Sequence, residues 1–143
     1  CKLYKRIMMF SLGKILSNDC YQRAFDESNT ALTIASLCLN KYEVYIVDVI
    51  KFKKACDDFT NVLMSHNKKE KLLDFYFWVR AKLTQLSSKK TTRLEVKMNC
   101  HATVKKIDPI ITNLCRELHG AKISPLLVNF TYDNPEQEPT HQG

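Results

Sequence analysis

The stretch YEVYIVDVIKFKKACDDFTNVL, residues 42–63, decides the fold class of this chain. Its first half is rich in β-branched residues, a composition typical of a strand. Its apolar residues, however, recur in steps of three and four, which is the spacing of one face of a helix. They are Tyr42, Tyr45, Val49, Phe52, Cys56, Phe59 and Leu63. The spacing therefore predicts a long helix over about residues 41–65.

The sequence around this segment lacks the residues that break helices. From Lys14 to Asp108 there is neither glycine nor proline, a run of 95 residues. Sheets of several short strands need tight turns, which glycine and proline supply. The chain of 143 residues is also long enough for one domain with its own core. We therefore predict an all-α protein, a bundle of four or five helices over residues 1–120.

Two more helices are predicted before residue 41. The first covers about residues 2–17 and ends at the polar triplet Ser17-Asn18-Asp19. The second begins in the stretch 26–30, which is rich in the capping residues Asp, Ser, Asn and Thr, and its continuity with the helix over residues 41–65 is left open.

The helices after residue 65 are predicted from their end signals. Asn67 with Glu70, and Thr92 with Glu95, have the spacing of capping boxes and predict the starts of two helices. Asp108-Pro109 predicts the start of a short fifth helix, because proline suits the first helical position, and Gly120 predicts its end.

Residues 121–143 differ from the rest in composition. They hold three of the four prolines together with Asp133, Glu136 and Glu138. We interpret this segment as an extended arm that ends in a flexible acidic tail. Asn129 within it begins an Asn-Phe-Thr triplet, the acceptor pattern for N-glycosylation.

The cysteines predict a redox compartment. An even number at scattered spacing indicates disulfides and a secreted protein, and the lack of an initiator Met fits a removed signal peptide or a shortened chain. Three pairs each bracket about one helix, and a helix of 18 residues, about 27 Å long, is too long for its end cysteines to bond each other. We therefore expect staples between neighbouring helices, in a pairing left open, from Cys1, Cys20, Cys38, Cys56, Cys100 and Cys115. The alternative is six reduced, buried cysteines in a cytosolic protein.

No catalytic, metal or cofactor site is predicted. Cys115 and His119 share a helical face, with Cys100 and His101 one helix away, but the close cysteine pairs of structural zinc sites are missing. Cys100 and His101 are adjacent, so their side chains diverge by about 100° on a helix and do not form a nucleophile–base pair. We expect no cofactor and no enzymatic activity. No apolar stretch is long enough to predict a membrane span.

The charge of the helical part is strongly positive. Residues 1–120 carry 21 Lys and Arg against 12 Asp and Glu, and the clusters include Lys51 with Lys54 and Lys68 with Lys69. Lysine predominates over arginine and no nucleic-acid-binding motif accompanies the charge, so a nucleic-acid partner is not expected. The patches are predicted to steer an acidic protein partner.

Three aromatic residues are not explained by a single buried stripe. Phe75, Phe77 and Trp78 follow one another closely on a predicted helix. We favour a helix that is buried on more than one side, and the alternative is an exposed group that anchors a partner.

Two sets of residues resemble known families. Cys1, Tyr4 and Cys20, followed by Cys38, Tyr42 and Cys56, form paired Cys-Tyr-Cys triplets. They resemble those of the bicycle proteins, secreted effectors of gall-forming aphids, and the resemblance implies a secreted helical protein that acts on a host by binding.

The second resemblance is to the interleukin-six-type cytokines. Cys20-Tyr21-Gln22 with Phe25 and Glu27, followed by residues 42–45, is similar to the segment that enters their second helix. It implies a secreted four-helix bundle that engages a receptor.

The sequence thus predicts a non-enzymatic secreted effector or cytokine-like ligand that binds an extracellular or host protein. Its candidate contacts are Phe75, Phe77, Trp78, Lys51, Lys54, Lys68 and Lys69. The alternative is a carrier of a small hydrophobic ligand, which needs an enclosed apolar cavity of about 300 Å³ or more.

Overall fold

The computed structural model describes the backbone of residues 2–120 and the side chains of residues 19–120. This part of the chain consists of four α-helices and contains no strand, which confirms the all-α prediction. The helices are α1 (Lys2–Cys38), α2 (Ile46–Ser65), α3 (Lys69–Ser88) and α4 (Leu94–His119). Cys1, Asn129 and the predicted arm over residues 121–143 lie outside the described residues.

The short connections give the four helices an up-down-up-down order. Helix α1 packs on α2 and α3 packs on α4, while α2 also contacts both α3 and α4. Arg80 Nε donates to Asp108 Oδ1 at 2.6 Å between the antiparallel α3 and α4, and Lys53 Nζ donates to Asn99 Oδ1 at 3.2 Å between α2 and α4. Helix α2 is thus the central element, with α1 on one side and the α3–α4 pair on the other.

A single core joins the four helices, and aromatic residues form its centre. The rings of Phe59 and Phe75 lie 4.7 Å apart, and Trp78 lies 5.7 Å from Phe75 and 5.9 Å from Phe52. Each buried side chain of this size stabilises the fold by about 1.5–3 kcal/mol relative to an exposed one. The core therefore joins α1, α2, α3 and α4 through one continuous apolar cluster.

The first helix is longer than predicted. The expected end at Ser17-Asn18-Asp19 is wrong, as is a separate start at residues 26–30, because α1 continues without a break to Cys38. Continuing the helix places Tyr21 and Phe25 on α2, with ring distances of 4.5 Å to His66 and 5.2 Å to Phe59. This packing outweighs the local preference of the polar residues for a helix end.

The helix predicted over residues 41–65 is present but begins at Ile46. Tyr45 precedes it in an extended conformation, and the Asp48 carboxylate accepts a hydrogen bond of 2.9 Å from the Tyr45 N–H. Tyr42 and Tyr45 therefore do not continue the buried stripe and are exposed.

Neither predicted capping box forms. Asn67 has a φ of 54° and ends the turn after α2, so Lys68 is the N-cap of α3. The Thr92 hydroxyl donates to the Leu86 carbonyl at 2.7 Å, which completes the end of α3 rather than the start of α4. The backbone of Asn67 and the side chain of Thr92 thus serve the ends of α2 and α3 rather than the helix starts that their spacing indicated.

The predicted break at Asp108-Pro109 is also wrong, since Pro109 lies inside α4. Ile107 and Ile111 on either side of it are buried in the same core, and this packing keeps the helix continuous despite the missing N–H. The predicted end at Gly120 is confirmed: its φ is 64°, and its N–H donates to the Arg116 carbonyl at 2.8 Å.

The expected staples do not appear among the described cysteines. Cys20, Cys38, Cys56, Cys100 and Cys115 are all free. The last three are buried, and burial raises the pKa of each thiol, most strongly that of Cys56. In this structure they are neutral, apolar side chains that help to fill the core.

Candidate functional site

An open groove of about 430 Å³ lies between α1 and α2 on the outer surface of the bundle. Its floor contains Ala31 and Ala35, one turn apart on α1, and Ala55 on the facing side of α2. Because alanine side chains are short, the two helices meet below the surface and leave the space above unfilled. Along α2 the groove extends from Asp48 to Asp58, about 15 Å or three helical turns.

Large apolar side chains stand exposed on both sides of this groove. Ile34, in its wall on α1, is 60% exposed, and Leu37 follows one turn later with 54%. On α2, Val47 and Ile50 are 50% and 55% exposed and lie one turn from the groove residues Lys51 and Lys54. Single exposed apolar residues are ordinary, but several on two facing helices form a patch of the kind that marks an interaction site.

The charged residues at the rim leave one lysine outside any close ion pair. Lys54 Nζ lies 3.4 Å from Asp58 Oδ2, and Lys41 Nζ lies 3.0 Å from Asp48 Oδ2. The Tyr45 N–H, then Lys41 and, more weakly, Lys51 lower the pKa of Asp48, and the first two hold this carboxylate by direct contacts. Lys51 forms no ion pair with any side chain of residues 19–120. The rim therefore offers a positive charge beside an apolar surface.

The loop at one end of the groove is tied to the α3–α4 pair. Arg93 Nη2 donates to Glu43 Oε1 at 2.5 Å, and its guanidinium lies 4.8 Å from the centre of the Tyr45 ring. The same guanidinium lowers the pKa of Glu43. Lys82 Nζ donates to Asn40 Oδ1 at 2.7 Å. The exposed ring of Tyr45, in the loop that joins the two groove helices, is thus held in place by Arg93.

The structure separates the predicted lysines into two groups. Lys51 and Lys54 line the groove. Lys68 and Lys69 lie at the other end of α2, where Lys68 Nζ is 5.3 Å from the centre of the Tyr21 ring and Lys69 pairs with Glu117. Neither residue lines the groove, so Lys68 and Lys69 are not part of this site.

The alternative in which the aromatic triplet anchors a partner is corrected by the structure. Phe75, Phe77 and Trp78 are all buried, with at most 8% of their surface exposed. Helix α3 lies between α4 on one side and α2 on the other, so aromatic residues on two of its faces are covered. In this fold the triplet belongs to the core and offers no surface to a partner.

The sulfur and imidazole groups considered as metal ligands are not assembled into a site. Cys100 and Cys115 are buried, whereas His101 and His119 are exposed. Within residues 19–120 no group of three His, Cys, Asp or Glu side chains is arranged to hold a metal ion. In the same part of the chain, none of the helices combines the length and the apolar character needed to cross a membrane.

Sequence reasoning identified the two groove lysines but missed the apolar residues around them. A signal for Val47 and Ile50 was present, because both are apolar and lie off the stripe that predicts α2. Ile34 and Leu37 gave no such signal, since the buried face of α1 depends on where α2 packs.

Comparisons with known proteins add no relative. No family model matches the chain, and no curated protein or solved structure matches it significantly.

Proposed function

We propose that this protein is a secreted, non-enzymatic effector that binds a host or extracellular protein through the α1–α2 groove. The observation that carries the proposal is the exposed apolar patch on the two facing helices, with Lys51 at its rim. A groove between two helices fits the apolar face of a third. We therefore assign as occupant an amphipathic helix of about three turns, with an acidic residue opposite Lys51.

The effector alternative is preferred here to the cytokine-like one because of the connections. The loops between the described helices span residues 39–45, 66–68 and 89–93, and such short loops favour an up-down-up-down bundle. Cytokine bundles run up-up-down-down and need two long crossovers. The groove also supports a protein partner over the hydrophobic-carrier alternative, because a small apolar ligand in so open a site would stay partly in water.

The proposal is tested with displayed helical peptides of three to four turns that vary in acidic flanking residues. We expect selected peptides to bind the wild-type chain and to lose about 30-fold or more in affinity to I34E and I50E, as for hot-spot residues. M98E is the matched control, because Met98 is 63% exposed and lies on α4, a helix that does not form the groove. Equal binding to I34E, I50E and M98E would contradict the groove as the site.

Secretion and disulfide bonding belong to the same proposal and have a separate test. The described thiols are free in the structure, so oxidation would have to bring pairs of them together. The chain is expressed with secretion, alkylated in denaturant without reductant, and its intact mass is measured. The increase in mass gives the number of free thiols. No alkylation supports secretion with three disulfides, whereas six alkylated thiols would overturn this part and leave the groove proposal to its own test.

A further inference from the structure

A second concave site lies on the opposite side of α2 from the groove. This crevice has a volume of about 270 Å³ and is formed by α2, α3 and α4. The groove is lined on α2 by Lys51, Lys54 and Ala55, whereas the crevice is lined by Lys53, Cys56 and Thr60, among others. The two sites share a helix but no lining residue.

The inner wall of the crevice is apolar. Val79 on α3 and Ile107 on α4 line it with the small part of their surface that stays exposed, and Ile110, 38% exposed, continues the apolar wall outward along α4. The fully buried Phe75 lies behind this wall. A volume of this size is smaller than the roughly 300–1,000 Å³ of sites for drug-sized molecules. The crevice therefore suits a short apolar group such as a single aromatic ring.

Two ammonium groups belong to the same crevice. Lys53 of α2 is half-buried and held by its hydrogen bond of 3.2 Å to Asn99 Oδ1, and Lys106 lines the crevice from α4. Asp57 is the carboxylate of the lining, so the lining carries two positive charges and one negative. Lys106 forms no ion pair with any side chain of residues 19–120, and its charge is free to meet an anion.

Neutral polar groups complete the lining. Thr60 and Tyr76 carry hydroxyl groups in the lining, and the Thr60 hydroxyl donates to the Asp57 carbonyl at 2.8 Å. Burial raises the pKa of Tyr76, so its hydroxyl remains a proton donor at neutral pH. An apolar wall with a few hydrogen-bonding groups and a cation is the arrangement that orients a small amphipathic ligand.

We propose that the crevice between α2, α3 and α4 binds a small monocarboxylic acid with an apolar tail. The tail packs against Val79, Ile107 and Ile110, and the carboxylate meets the ammonium groups of Lys106 and Lys53. This binding is independent of the protein partner, because it uses the other side of α2.

The test uses 4-phenylbutyrate as the probe and its neutral amide as the control ligand. Calorimetric titration of the chain measures both affinities in wild type, K106M and K105M. Lys105 is the matched control residue, because it is an exposed lysine next to Lys106 that does not line the crevice. We expect K106M to weaken 4-phenylbutyrate binding about tenfold, K105M to leave it within twofold, and neither to change the binding of the amide.

Three results would overturn the proposal. They are no heat of binding with 4-phenylbutyrate at millimolar concentration, equal affinities of K106M and K105M, and binding that I34E abolishes while K106M retains it. The last result would place the probe in the α1–α2 groove. T103W, which puts a large side chain into the crevice lining, checks the location further and is expected to prevent binding of both the acid and the amide.

Discussion

Replacement of Phe75 by alanine tests whether this residue belongs to the core or anchors a partner. Phe75 is fully buried, and its ring lies 4.7 Å from Phe59 and 5.7 Å from Trp78. Truncation of a buried phenylalanine costs about 3–5 kcal/mol, which includes the cavity left behind. Because two close aromatic pairs are lost as well, we expect a decrease near the upper end, about 4–5 kcal/mol.

The assay is urea unfolding followed by circular dichroism. With a slope of about 2 kcal/mol per molar urea, the midpoint is expected to fall by about 2 M. F75L loses the ring but keeps much of the volume, so its urea midpoint is expected to fall by less than that of F75A. This variant gives a measurement if F75A does not fold. I34A, at an exposed apolar position, is expected to stay within about 0.5 kcal/mol of wild type. A loss below about 1 kcal/mol in F75A would refute the assignment of Phe75 to the core.

Three further predictions concern the start of α2, the proline inside α4 and the thiols. D48A is expected to lower the free energy of unfolding by about 1 kcal/mol at pH 7, because Asp48 holds the start of α2. The pKa of Asp48 is lowered in the folded state, so this contribution is present above about pH 4 and disappears as the pH falls further. Denaturation of wild type and D48A at pH 7 and at pH 2 measures the difference. P109A is expected to raise stability by about 1 kcal/mol or more, because alanine restores a backbone donor inside α4, and a lower thermal midpoint would contradict this. In the reduced native chain, a thiol reagent is expected to modify the exposed Cys20 quickly and the buried Cys56 only on unfolding, as peptide mapping by mass spectrometry would show.

The helical class followed from the sequence because it depends on a signal repeated over many residues. The three- and four-residue spacing from Val49 to Leu63 and the absence of glycine and proline both extend over long stretches, and α2 lies where the spacing placed it apart from its first turn. Phe52, Phe59 and Leu63 follow that spacing, and all three are buried.

The helix boundaries were predicted poorly because each depends on a single weak preference. A cap contributes about 1 kcal/mol, which is less than the burial of one large side chain. At Ser17-Asn18-Asp19 and at Pro109, tertiary packing kept the helix continuous against the local signal. The end at Gly120 was predicted correctly because a left-handed residue strongly favours glycine.

Of the residues of the candidate site, only the charged ones were predicted from the sequence. Lysine is exposed on almost any fold, so Lys51 and Lys54 could be placed on a surface from sequence alone. Which apolar residues stay uncovered depends on how α1 and α2 pack, and the small residues Ala31, Ala35 and Ala55 gave no separate signal for a groove.

The anchored loop between α1 and α2 has a consequence for the affinity of a partner. Immobilising a side chain on binding costs about 0.5–1.5 kcal/mol of conformational entropy. The contacts of Arg93 with Glu43 and the Tyr45 ring, together with Lys82 and Asn40, already order this loop in the unbound chain. A partner that touches Tyr45 therefore meets a preorganised surface and avoids this cost for each side chain that the loop already holds.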